Sequence, residues 1–155
     1  MRAAELIAAG GVLLRPRCGS FEDAVAGLVD TLVANTRLAA DVRDRAVRAV
    51  VGREALASTA IVEIGVAVPH ARVEGVDGVI AALAASPAGL YYATATVPIS
   101  VMVIVLSAPE LIGEHLNTLA GVSLLLQSAN VRRGLENAAD QDAALKLLRG
   151  GNGRA

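Results

Sequence analysis

The sequence predicts an α/β fold in which helices cover a mixed sheet on both faces. Three observations carry that expectation. Ile99–Ser107, ISVMVIVLS, is a continuous β-branched apolar run, the pattern of a strand buried on both sides. Phe21, Ala24, Val25, Leu28, Val29, Leu32 and Val33 recur at helical spacing and mark one buried helical stripe. The centre of the chain is strand-rich and its last third reads as helix throughout, so a pure βαβ alternation is absent.

Each element has a local reason. Ala3–Ala9 suits a short helix that Gly10-Gly11 would end, and Val12–Leu14 a brief strand. Ser20 is a candidate N-cap for the striped helix, with Asp23 as a short-armed capping-box acid and Asn35 near the far end. Asp41 is expected to cap a second helix running to about Ala55, with Val42, Ala46, Ala49 and Val50 on its apolar face. Val66–His70 reads as a strand that Pro69 brings to a close, since proline lacks a backbone donor and fixes its own φ. After a turn at Val73–Gly75, Val76–Ala84 reads as a second core strand. Breaks at Ser86–Gly89 and Thr96–Pro98 flank a short edge segment, Leu90–Tyr92. Pro109 lies close to the start of a helix with Glu110 in its first turn. Asn130–Asn137 and Gln141–Arg149 are expected as two last helices, the latter capped by Asp140. Residues 1–150 thus read as one domain, and residues 151–155 as a frayed tail.

Composition narrows the function classes. With 54% hydrophobic residues but 2% aromatics, Ala, Val and Leu must fill the core of this 155-residue chain. A formal net charge of -1 gives no basic excess for nucleic acid, and few rings are available for base stacking. Cys18 is the single cysteine, so no intramolecular disulfide can form, which fits a reducing, cytoplasmic setting. Its lack of a CxxC partner and the presence of only 2 histidines offer little for a metal site. No apolar run reaches membrane-spanning length, and the N-terminus, which carries Glu5, reads as the first folded segment rather than a signal peptide. No cofactor motif is present, and no nucleophile elbow G-x-S-x-G or paired-carboxylate motif points to an ordinary hydrolase.

The chemistry-bearing candidates are His70, His115 and Arg53. His70 sits where a strand should run out, a place where a rigid scaffold presents a side chain to solvent. Imidazole titrates near neutrality and is nucleophilic. His115 shares a helix face with Leu111, Leu119 and Val122. It can be a satisfied boundary histidine or the partner of His70, because both follow apolar strands and neighbouring strands could bring the rings together. Arg53 is favoured near a helix C-terminus by the dipole alone, or it reaches an anion handled by His70. Arg72 fits either anion binding or simple solvation.

These residues resemble a known family over about the whole chain up to Arg149. Arg53-Glu54 followed by Ser58-Thr59, then GVAVPHAR at Gly65–Arg72, Gly89-Leu90 before Pro98-Ile99, Ser107-Ala108-Pro109 and His115-Leu116 with Leu119-Ala120 occur in the order seen in the fructose/mannitol-type enzyme IIA domain of the bacterial phosphoenolpyruvate-dependent sugar phosphotransferase system, which includes the nitrogen-regulatory type. The resemblance implies a three-layer α/β/α sandwich with a small mixed β-sheet. It implies that His70 takes a phosphoryl group on Nε2 from HPr or its nitrogen-branch relative and passes it to a cysteine of enzyme IIB. His115 and Arg53 are then expected beside the phosphoryl oxygens. No metal or cofactor, no nucleic acid and no membrane insertion are expected, and a homodimer is allowed. The same family leaves open a regulatory protein that signals through binding without sugar phosphotransfer. The chain departs from the family at STAIVEIGVAVPH, where Glu63 and Ile64 replace the small or turn-forming residues of a glycine-rich stretch. An inward-pointing Glu63 would repel an anion. An apolar docking rim around His70 is expected, with Val73 and Val76 as candidates.

Overall fold

A computed structural model describes residues 3–152. The elements are α1 (Ala3–Gly10), β1 (Val12–Leu14), α2 (Phe21–Ala34), a 3-10 turn at Ala40–Val42, α3 (Arg43–Leu56), β2 (Val66–Ala67), β3 (His70–Arg72), β4 (Val79–Ala85), β5 (Tyr91–Tyr92), β6 (Pro98–Ile99), β7 (Val101–Ser107), α4 (Ile112–Leu125), α5 (Ala129–Glu136) and α6 (Gln141–Asn152). The main sheet runs β1-β4-β7, with β2 and β3 both lying along the far side of β7. Only the β4–β7 pair is antiparallel; β1 is parallel to β4, and β2 and β3 are parallel to β7. β5 and β6 form a separate antiparallel pair.

The alternation of strand side chains sorts the core into two halves. Ala81, Leu83 and Ala85 of β4 and Val101, Val103 and Val105 of β7 face α1, α4, α5 and α6. Ile80, Ala82 and Ala84 with Met102, Ile104 and Leu106 face α2 and α3. Every residue of β7 is buried, which is why its sequence shows no polar alternation. Helices on both faces of one mixed sheet make the three-layer α/β/α sandwich expected from the sequence.

Capping follows the sequence in α2 and α6. Ser20 Oγ accepts from the Asp23 amide at 3.1 Å, Asp23 Oδ2 accepts from the Gly19 amide at 3.1 Å, and Asp140 Oδ1 accepts from the Ala143 amide at 2.9 Å. Three expectations at element ends are corrected. Asp41 makes no capping bond, because it falls inside the 3-10 turn that feeds α3. Glu110 precedes α4, since a turn closed by Leu111 N–H to the Ala108 carbonyl intervenes, and the acid in the first turn is Glu114. The expected break at Thr96–Pro98 ends earlier, with Pro98 already paired to Tyr92. Of the expected tail at 151–155, residues up to Asn152 belong to α6, and the rest lies outside the described residues. Among the described residues no helix is long and apolar enough to cross a membrane.

The two ends of the chain share one layer. Ala4 and Ile7 of α1 belong to the same apolar cluster as Ala144 and Leu148 of α6, and Gln141 Oε1 accepts from the Val12 amide at 3.1 Å. Gly10 lets α1 approach the sheet, because a Cβ there would overlap the Ala81 carbonyl oxygen. Gly52, in the middle of α3, has nothing near it. The same substitution should therefore act in opposite directions. Gly10→Ala is expected to lower the unfolding free energy by about 3 kcal/mol or more, and Gly52→Ala to raise it by about 0.5–1 kcal/mol, both read from chemical denaturation.

Candidate functional site

Pro69 interrupts the strand without ending it. β2 stops at Ala67 and pairing to β7 resumes at His70 in unchanged register, with Val66 opposite Val101 and His70 opposite Val105. The Pro69 carbonyl still accepts from the Val105 amide at 3.0 Å. The Pro69 nitrogen faces β7 as its carbonyl does, so the missing donor removes one ladder bond and opens the gap between β2 and β3, while the pairs on either side keep the register. His70 is therefore the first residue of β3, not the last of a strand that has run out.

Parity then fixes the side on which His70 lies. Its register partner Val105 faces the α4 layer, and so does Ser107, the partner of Arg72. His115 projects from α4 over the same face. The two imidazoles meet with centroids 5.3 Å apart and planes inclined by 60°. His70 is half-buried, whereas His115 is buried.

Each ring is held through its Nδ1. His70 Nδ1 lies 2.9 Å from the Val68 carbonyl oxygen. A carbonyl can only accept, so this bond puts the proton on Nδ1 and leaves a lone pair on Nε2. His115 Nδ1 lies 2.6 Å from Ser107 Oγ, at the buried end of β7. Burial first, then electrostatic repulsion between a charged His115 and its neighbours His70, Arg72 and Arg53, in that order, push the His115 pKa below its ordinary value. Both effects favour the neutral ring. Arg72 is also anchored, donating from Nη1 to the Pro109 carbonyl at 2.7 Å just ahead of α4. Arg53, in the last turn of α3, is exposed and close enough for its charge to act on His115.

A polar chain behind His70 ties it to α3. Glu54 accepts from the Thr59 amide at 2.6 Å, and its two carboxylate oxygens accept from the Thr59 hydroxyl at 3.0 and 3.1 Å. Thr59 Oγ1 in turn accepts from the Val68 amide at 3.2 Å. The residue that holds the imidazole is therefore itself held by the element that carries Arg53. A separate cleft of about 860 Å³, lined in part by Cys18, Phe21, Glu54 and Tyr91, shares Glu54 with this chain but neither histidine. There burial and the nearby Glu54 carboxylate push Tyr91 up to about 12.

The sequence-derived docking candidates require correction. Val73 and Val76 are 3% and 6% exposed and belong to the core under α2 and α3. The turn between them folds against the helix layer, where Arg45 donates to the Glu74 carbonyl at 2.8 Å and Gly75 packs on Val42. The apolar side chains left in solvent beside His115 are Ile112 and Leu116, at 54% and 59%. Glu63 is exposed, in a loop closed by Ile61 N–H to the Val66 carbonyl and turned at Gly65 with φ 68°. In the sequence, Glu54, Thr59 and Ser107 stand out only as motif letters, Ser107 also as the end of a strand. The signal for Ser107 is a lone hydroxyl closing a buried apolar run eight residues ahead of a histidine. Among the described residues no group of three His, Cys, Asp or Glu side chains could hold a metal ion.

Over residues 5–150 the chain matches the family described as phosphoenolpyruvate-dependent sugar phosphotransferase system, EIIA 2. The chain belongs to that family. Its fold is shared with the nitrogen regulatory protein IIA-Ntr from Neisseria meningitidis, at 22% identity and a TM-score of 0.71, covering 94% of this chain and 97% of that one. IIA mannitol from Escherichia coli is similar at 21% identity and a TM-score of 0.71, covering 90% of this chain and 96% of that one. A complex of enzyme IIAMTL with phosphorylated enzyme IIBMTL, also from Escherichia coli, matches at 19% identity and a TM-score of 0.70, covering 92% and 96%. No curated protein matches the chain.

Two outcomes test this geometry. The unfolded His115 titrates near 6.5 and the folded one lower, so the unfolded chain binds more protons in between. Stability should therefore fall as pH drops below about 6.5, and His115→Gln should flatten that part of a denaturation-versus-pH profile. Thr59→Val should lower stability by about 1–3 kcal/mol, because it leaves the Val68 amide without its partner.

Proposed function

We propose that this chain is a phosphoryl carrier, accepting the group on His70 Nε2 from an HPr-like phosphohistidine protein and yielding it to a cysteine of an enzyme IIB partner. The observation that carries the reading is the paired tethering of the rings. Both Nδ1 atoms are engaged inside the protein, neither Nε2 has a hydrogen-bond partner among the described residues, and the ring centroids lie 5.3 Å apart. His70 Nε2 is a neutral nucleophile. Its lone pair forms the new N–P bond in line while the N–P bond of the donor breaks, the electron pair returning to the donor imidazole. In the second step a thiolate sulfur attacks the same phosphorus and the His70 N–P bond breaks in turn.

His115, Arg53 and Arg72 surround the anion with donors and positive charge. Both arginines are exposed; Arg72 donates to the Pro109 carbonyl, and Arg53 reaches solvent from the last turn of α3. Glu63 is exposed in the loop before Gly65, where water screens its charge. Ile112 and Leu116 supply an apolar surface on which both protein partners can dock in succession. The IIA–IIB complex among the similar structures supports an enzyme IIB as acceptor. The regulatory reading uses the same phosphohistidine as its signal, and the nitrogen regulatory relative, as similar in fold as the mannitol one, supports it.

Incubation with phosphoenolpyruvate, enzyme I and HPr should add an acid-labile phosphoryl group, visible in the intact mass. His70→Ala should gain none, and phosphorylation retained in that variant would refute the assignment. Arg53→Ala and His115→Ala should take up the group about 10²-fold more slowly. Onward transfer to an IIB cysteine separates the carrier from a protein that only signals.

A further inference from the structure

We infer that Ser107 is a positioning residue that donates its hydroxyl proton to His115 Nδ1 and so locks the neutral His115 ring as its Nε2–H tautomer. The role rests on the phosphoryl-carrier reading and specifies how its second histidine works.

Each proton in this dry place needs an acceptor. Ser107 is 0% exposed, and its hydroxyl has His115 Nδ1, at 2.6 Å, as its one hydrogen-bond partner among the described residues. Two arrangements satisfy that distance. In one the serine donates to an unprotonated Nδ1, and every polar atom of the pair is used. In the other Nδ1–H donates to Oγ, and the hydroxyl proton is left buried with no acceptor. A buried donor without a partner forfeits its hydration for nothing, which favours the first arrangement on the order of tenfold or more. Protonating His115 would force the second arrangement, so the hydroxyl also discourages the charged ring.

The two histidines then play opposite parts by opposite tethers. The Val68 carbonyl can only accept, which strips Nε2 of His70 of its proton and makes it the nucleophile. The Ser107 hydroxyl donates, which puts the proton on Nε2 of His115 and makes it a donor toward an anion on the neighbouring ring, 5.3 Å away. Strand register sets both. Ser107 is two residues beyond Val105, the partner of His70, on the same face of the sheet.

The full chain labelled with ¹⁵N-histidine tests this by long-range imidazole correlation spectra. It has only 2 histidines, so one His70→Gln sample completes the assignment. At pH 7.5 the wild type should show a single Nε2–H tautomer at His115, and Ser107→Ala should show exchange between both tautomers. An Nδ1–H tautomer in the wild type, or an unchanged tautomer in Ser107→Ala, overturns the inference. Phosphoryl uptake is read with phosphoramidate, from which His70 Nε2 displaces ammonia as the P–N bond breaks, and in parallel with phosphorylated HPr. Ser107→Ala should slow uptake about tenfold in the wild-type background. It should add nothing in His115→Gln, whose amide donates without needing a tautomer. Equal slowing in both backgrounds means a structural role and overturns the inference, and this comparison still decides if Ser107→Ala alone folds poorly, because Ser107→Cys can replace it. Failure of the wild type to take phosphate from either donor sinks the carrier reading itself, while the tautomer spectra still decide the hydrogen bond independently.

Discussion

The parallel pairing of β3 with β7 is the constraint on which the rest of the molecule depends. β7 is buried on both faces, so each of its residues is committed to one helix layer or the other. A slip of one residue would exchange those layers wholesale. The register that keeps Val103 and Val105 under the α4 layer therefore also keeps His70 beside Val105 and Ser107 beside Arg72. The site is not built on a loop that could drift. It is fixed by the same alternation that fills the core, and the Nδ1 atoms of His70 and His115 are tethered at Val68 and Ser107.

Rigidity on one side is matched by freedom on the other. The imidazoles are held from beneath by a backbone carbonyl and a buried hydroxyl, and Val68 is held in turn through Thr59 and Glu54. Arg53, one residue before Glu54, is anchored by its backbone in the last turn of α3, with its side chain exposed. Under the proposed carrier role this division is useful: fixed nitrogen atoms would keep the reaction trajectory, and the exposed cation would be available to the arriving charge.

Much of the fold was legible because burial writes itself into sequence. Val101–Ser107 shows no polar alternation since neither face meets water, and the α2 stripe repeats at the helical period since one face does not. The failures share a cause, in that local signals do not know their neighbours. Pro69 reads as a terminator, yet it removes a single ladder bond and pairing to β7 resumes at His70 in the same register. Asp41 and Glu110 carry capping chemistry, but a 3-10 turn and the Ala108–Leu111 turn displace the helix starts. Val73 and Val76 flank a polar turn that happens to fold under α3. At the site, the two histidines stand out by rarity and by their place after apolar runs. Ser107 does not, because a hydroxyl at the end of a strand looks the same whether it faces water or a ring.

The two apolar layers differ in when the chain can complete them. The cluster beneath α2 and α3 draws its buried members from Ala24 through Leu106. The opposite cluster needs Ala3 at one end and Leu148 at the other, closed by a Gln141–Val12 bond spanning 129 positions. During translation the first half-core can assemble as soon as β7 clears the ribosome, whereas α1, already able to pack on β4, meets α6 only once that helix has been made. His115 rides on that later layer, so an incomplete nascent chain could already hold His70 in place yet lack its neighbour.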